Sequence, residues 1–218
     1  MRNRFDRQLE RLNTELTEMG ELIESAIDGA VSSLTKRSEE QVRVTELIEK
    51  DINQKESDIE SLCLKLLLQQ QPVASDLRLI SAALKMITDM ERIGDQAADI
   101  ADLSLFMAGE VPDERMKLLM KMADETTDMV QKSVQAFVNR DMDLAEKVCD
   151  QDDVVDDLFT QVKKDIIAWI RKDTDTGELA MDLLMVAKYF ERIGDHAVNL
   201  AEWVVFSITG QHKHEDMF

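Results

Sequence analysis

The chain has 218 residues, of which 45 are acidic and 26 basic, a formal net charge of -19, 5% aromatics and only two prolines. This length accommodates one large domain or two of about 100 residues, and a composition rich in Leu, Ala, Met, Glu, Asp and Lys favours helix. So negative a field excludes nucleic acid and anionic lipid headgroups as partners, and favours cations or basic protein patches.

The opening residues Met1-Arg2-Asn3-Arg4-Phe5 run straight into a charged helix, so no signal peptide is expected. Apolar residues spaced three and four apart predict helices over 3–35, 39–70, 74–108, 113–138, 142–172 and 177–208. Lys36-Arg37-Ser38 separates the first two, and Gln69-Gln70-Gln71-Pro72 ends the second, placing Pro72 in the first turn of the third. Gly109-Glu110-Val111-Pro112-Asp113 divides the halves. Asn139-Arg140-Asp141 and Asp173-Thr174-Asp175-Thr176-Gly177 end the fourth and fifth helices. The most apolar run, Leu62 to Leu68, is interrupted by Lys65 and falls far short of the ~20 residues that span a bilayer. A soluble, cytoplasmic protein is expected. Cys63 and Cys149 lie in apolar patterns without Cys-x-x-Cys spacing and read as buried free thiols. The methionines fall mostly on the same apolar seams and read as core filling.

Comparison of the chain with itself carries the most information. Glu91-Arg92-Ile93-Gly94-Asp95 recurs as Glu191-Arg192-Ile193-Gly194-Asp195. The seam Ala83, Met86, Met90, Ile93, Ala97 and Ile100 is matched by Leu183, Val186, Phe190, Ile193, Ala197 and Leu200. Upstream, Glu49-x-x-Ile52-Asn53 corresponds to Asp152-x-x-Val155-Asp156. The reading is all-α, two tandem three-helix bundles related by duplication, over residues 1–109 and 110–218.

On a helical wheel Glu91, Asp95 and Asp102 form one stripe, with Asp99 beside it, pointing away from the apolar seam; Glu191, Asp195, Asn199 and Glu202 do likewise in the second copy. Like charges four apart cost a few tenths of a kcal/mol and a mid-helix glycine about 1 kcal/mol, so repeating both argues for use beyond solubility. Glu49 and Asn53, and Asp152 and Asp156, lie on the flanks of their own helices, where adjacent helices can present both acidic pairs to a shared groove. Carboxylate oxygens suit iron or another oxygen-preferring cation, such as Mg, Mn or Ca, better than a structural zinc. His196 stands beside Asp195, but its counterpart is Gln96, so imidazole is not required. A ferritin-like di-iron oxidase needs Glu-x-x-His, which does not occur; His212 and His214 lie in a polar tail. No Gly-rich phosphate loop or Gly-x-Ser-x-Gly is present. A metal-dependent carboxylate-cluster enzyme and a metal-free helical interaction protein are the rival readings.

These residues resemble the PhoU family. Gln71-Pro72-Val73-Ala74-Ser75-Asp76-Leu77-Arg78 with Met90 to Asp95 carries the likeness in the first half, and Ala187 to Ala197 with Asn199-Leu200-Ala201-Glu202 in the second. The resemblance implies two three-helix bundles with pseudo-twofold symmetry and multinuclear metal clusters held by Glu91 and Asp95, Glu191 and Asp195, Asp152 and Asp156, and Glu49 with Asn53. Asn53, a neutral amide where the second copy has Asp156, makes its groove the weaker site. It further implies a non-enzymatic, homodimeric regulator of phosphate uptake that contacts the ATPase of the phosphate ABC transporter and a sensor histidine kinase. Such a protein meets the membrane only through these partners. A bound di- or trivalent cation inverts the local potential, so inorganic phosphate is expected to bind through the metal.

Overall fold

The computed structural model describes residues 2–70, 73–107 and 109–211. Six α-helices occupy these residues: α1 (Arg2–Lys36), α2 (Glu39–Gln70), α3 (Ala74–Phe106), α4 (Asp113–Asn139), α5 (Met142–Lys172) and α6 (Gly177–Thr209). Their ends fall within two residues of the sequence expectation. The larger difference is at α3, which stops at Phe106 because Met107 takes an extended backbone. Between α4 and α5, Arg140 adopts the left-handed conformation at φ 56° and closes one helix, and the Asp141 carboxylate caps the next by accepting from the Leu144 N–H at 3.0 Å. A single 3-10 turn, Thr174–Thr176, joins α5 to α6. Pro72, His212 and His214 lie outside the described residues. Among those described there is no strand, and no helix is long and apolar enough to cross a membrane.

The duplicated seam becomes the core. Ala83, Met86, Met90, Ile93, Ala97 and Ile100 of α3, and Leu183, Val186, Phe190, Ile193, Ala197 and Leu200 of α6, are all buried. Burying each large apolar side chain removes roughly 1.5–3 kcal/mol of water-exposed surface energy, which outweighs the propensity cost of the acids beside them. The helices α1, α2 and α3 pack on one another, as do α4, α5 and α6; α3 against α6 and α1 against α4 join the halves. The α3–α6 pair is antiparallel, since Asp89 meets Asn199 while Arg78 meets Gly210. Polar ties support the arrangement: Lys55 bridges α2 to Glu15 and Glu18 of α1 at 2.9 and 2.6 Å, and Arg115 of α4 reaches Asp165 of α5 at 2.7 Å.

Cys63 is buried, as expected, and burial together with Glu60 pushes its thiol up to about 12, so it is an inert packing residue. Cys149 is only half-buried, which corrects the expectation for that position. Neither tryptophan is fully exposed. Trp169 lies under the Arg115 guanidinium, 4.1 Å from its ring centroid, and Trp203 meets Phe206 edge to face at 5.6 Å.

Candidate metal grooves between paired helices

The glycine of the repeated pentapeptide sets the geometry. A Cβ added to Gly94 would stand 2.9 Å from Cδ1 of Ile52, and one added to Gly194 would stand 3.1 Å from Oδ1 of Asp152 and 3.4 Å from Cγ1 of Val155. Each glycine therefore lets a neighbouring helix approach closely, α2 over Gly94 and α5 over Gly194. Ile52 and Val155 are the matched apolar residues of the upstream motif, so the two duplicated sequences are the two sides of one contact. That contact explains why a helix-weakening residue is retained twice. It also brings the acids flanking Ile52 and Val155 against those flanking Gly94 and Gly194.

In the second half, Asp152 of α5 faces the acids of α6. Its carboxyl is pushed up to about 6, first by burial and then by the charges of Asp156, Asp195, Asp153 and Glu191. Local desolvation and Glu191 also raise Asp195, with Lys188 opposing, although Asp195 is exposed as a residue. Glu191 is half-buried and forms an ion pair with Lys188, one turn before it. This groove holds an excess of negative charge offset by one ammonium.

In the first half, Glu91 is raised by burial, then by Asp95 and Glu56; Asp95 is raised by burial, then by Glu49 and Asp99. Glu49 and Asn53 are half-buried on α2, where the Asn53 amide donates to the Glu49 carboxylate. The Asn53 carbonyl oxygen is buried and has no hydrogen-bond partner among the described residues. The α2–α3 groove thus assembles Glu49, Asn53, Glu91 and Asp95 with the additional acid Glu56, which the spacing argument did not select.

The remaining stripe residues are not gathered into these grooves. Asp102 looks toward Glu46 of α2, whereas Asp99 is raised by burial and Asp102 and lowered by Arg192 of α6. Asn199 donates to Oδ1 of Asp89 at 3.2 Å, and Nδ1 of His196 lies 2.9 Å from the same oxygen. Glu202 lines a different groove, with Lys85, Arg92 and Trp203. A single wheel cannot separate these groups, because α3 packs on α1, α2 and α6, and α6 on α3, α4 and α5, and the roughly 40° of rotation over four residues carries a side chain toward a different neighbour. Asp89 is the polar residue that sequence reasoning missed. An acid between the seam residues Met86 and Met90 was its available signal, and it is only 8% exposed.

The donor chemistry suits a hard cation. These carboxylates are raised first by burial and then by one another, more than Lys188 and Arg92 offset, and a further cation there would reverse the penalty. Convergence is incomplete, however: among the described residues no three His, Cys, Asp or Glu side chains are grouped closely enough to hold a metal ion.

Known proteins share this architecture. A family model described as "PhoU domain" matches residues 16–104 and 119–204. A relative from Clostridium acetobutylicum named phosphate-specific transport system accessory protein PhoU homolog is 35% identical over 210 residues, 95% of each chain. The crystal structure of PhoU from Pseudomonas aeruginosa has a TM-score of 0.88 at 32% identity, covering 95% of this chain and 100% of that one. The phosphate transport system regulatory protein PhoU from Streptococcus pneumoniae has a TM-score of 0.86 at 26% identity, covering 95% and 98%. Similarity of this extent reaches both copies of the pentapeptide and the helices that face them, and the chain belongs to the PhoU family.

Proposed function

We propose that this protein regulates phosphate uptake and phosphate-starvation signalling as a cytoplasmic, homodimeric adaptor to the phosphate ABC transporter ATPase and its sensor histidine kinase, and is not an enzyme. Family membership and the names carried by its relatives support the pathway. The structural observation carrying the mechanism is the pairing of duplicated acids across Gly94 and Gly194. Asp152, Asp156, Glu191 and Asp195 would hold a cation in one groove, and Glu49, Asn53, Glu91 and Asp95 in the other. When bound, an oxygen-preferring cation such as iron, Mn, Mg or Ca supplies positive charge able to attract inorganic phosphate. The chain's own part is to keep unneutralised carboxylates on facing helices, with Lys188 limiting the excess in the second groove.

Cells lacking the protein should express phosphate-starvation genes in phosphate-replete medium, and the wild-type chain should restore repression. Repression that persists in its absence overturns the regulatory reading. A metal-free adaptor is the second reading, favoured by the absence of any three convergent ligands among the described residues. It predicts that substitution of all the groove acids leaves repression intact.

A further inference from the structure

The two halves differ where α3 and α6 end. Phe206 is half-buried, standing edge to face on Trp203 with its ring centroid 5.6 Å away. The corresponding Phe106 has Leu103 in place of that tryptophan, and is 77% exposed beside Leu105 at 40%. These two side chains, with Val42, Glu46 and Asp102, line a groove of about 320 Å³ between the start of α2 and the end of α3. Leu47, one turn beyond Arg43 on α2, adds exposed apolar surface next to it, at 60%. An open phenylalanine in a groove, adjoining further apolar surface, is the pattern of an unfilled interface.

The charges select the occupant. Arg43 and Glu39 also line the groove and are paired with each other at 3.5 Å, leaving the acids in excess. Glu46 and Asp102 stand on opposite walls, and among the described residues neither has an ion-pair partner. Burial and then the like charge of Glu46 across the groove raise the Asp102 carboxyl. We propose that this groove docks an amphipathic helix of a partner protein, its apolar face covering Leu105 and Phe106 and its basic flank lying between Glu46 and Asp102. Helix-in-groove recognition supplies both elements at neighbouring turns: apolar anchors and a lysine or arginine three or four residues away. The inference rests on the regulatory reading only in taking the occupant to be a protein.

The test uses the full chain and a fluorescent Leu/Lys amphipathic helix of about 15 residues, close to four turns. A scrambled peptide of the same composition serves as control. Anisotropy should show the helix binding at least about tenfold more tightly than the scramble, and Phe106→Ser should weaken it about tenfold. Combined Glu46→Gln and Asp102→Asn should flatten the salt dependence of binding. Leu68→Ser, exposed at the far end of α2, should leave binding unchanged. Absence of binding, equal binding of the scramble, or wild-type affinity in Phe106→Ser overturns the proposal. So does self-association that Phe106→Ser abolishes in sedimentation without peptide, because the face then belongs to a second copy. Phosphate repression is scored separately in cells: a variant that represses normally without binding the peptide removes the docking inference and leaves the regulatory reading standing.

Discussion

Asp152→Asn isolates the electrostatic cost of the α5–α6 groove. The folded protein holds this carboxyl at about 6 against an ordinary value of 3.8. A difference of that size converts to at most about 3 kcal/mol. Water reaches the half-buried groove, and screening reduces the realistic figure to about 1 kcal/mol. Because the folded value lies above the unfolded one, ionisation destabilises the fold above about pH 6, and the penalty is relieved as pH falls from 6 toward 3.8. Asparagine preserves the shape beside Gly194 and removes the charge. In chelator at about pH 7.5, the variant should melt higher by about 2–4 °C, the shift expected of ~1 kcal/mol in a chain of this size. The wild-type's gain in stability on acidification should shrink in the variant. Scanning calorimetry at two pH values measures both. An unchanged or lowered Tm at the higher pH, with the wild-type pH dependence retained, refutes the reasoning.

Gly94→Val and Gly194→Val should each destabilise by about 1–3 kcal/mol in denaturant titrations, because branched side chains must push α2 and α5 off the close contacts at Ile52 and Val155. Asp89→Ala should cost about 1–3 kcal/mol by leaving His196 and Asn199 without their shared acceptor, measured in the same way. Asp141→Ala should cost about 1 kcal/mol through loss of the α5 cap, with no effect on metal binding.

Much of the fold was legible because helix breaks are chemical events. Arg140 and Asp141 form a C-cap and N-cap in succession, and the seam residues from Ala83 to Ile100 and from Leu183 to Leu200 repeat at spacings that only a helix can bury on one side. The candidate grooves were legible in part. Pairing Glu49 and Asn53 with Glu91 and Asp95, and Asp152 and Asp156 with Glu191 and Asp195, followed from parallel repetition of two motifs. What the sequence did not disclose was the cause: the glycine reads as a cost until its neighbouring helix is in place. Nor did one-dimensional periodicity separate Glu191 and Asp195, which face α5, from Asn199, which turns to Asp89 on α3. That separation depends on which of two neighbouring helices each side chain meets, a property of the tertiary packing.

On the proposed function, two acidic grooves, built by close packing at the repeated glycines, hold a cation. Elemental analysis of protein prepared without an affinity tag, beside a variant carrying Glu91→Gln, Asp95→Asn, Glu191→Gln and Asp195→Asn, decides whether they do. Stoichiometric metal in the wild-type and its loss in a folded variant is the predicted result. Wild-type protein without metal after growth in metal-replete medium, or a variant that retains it, contradicts the claim.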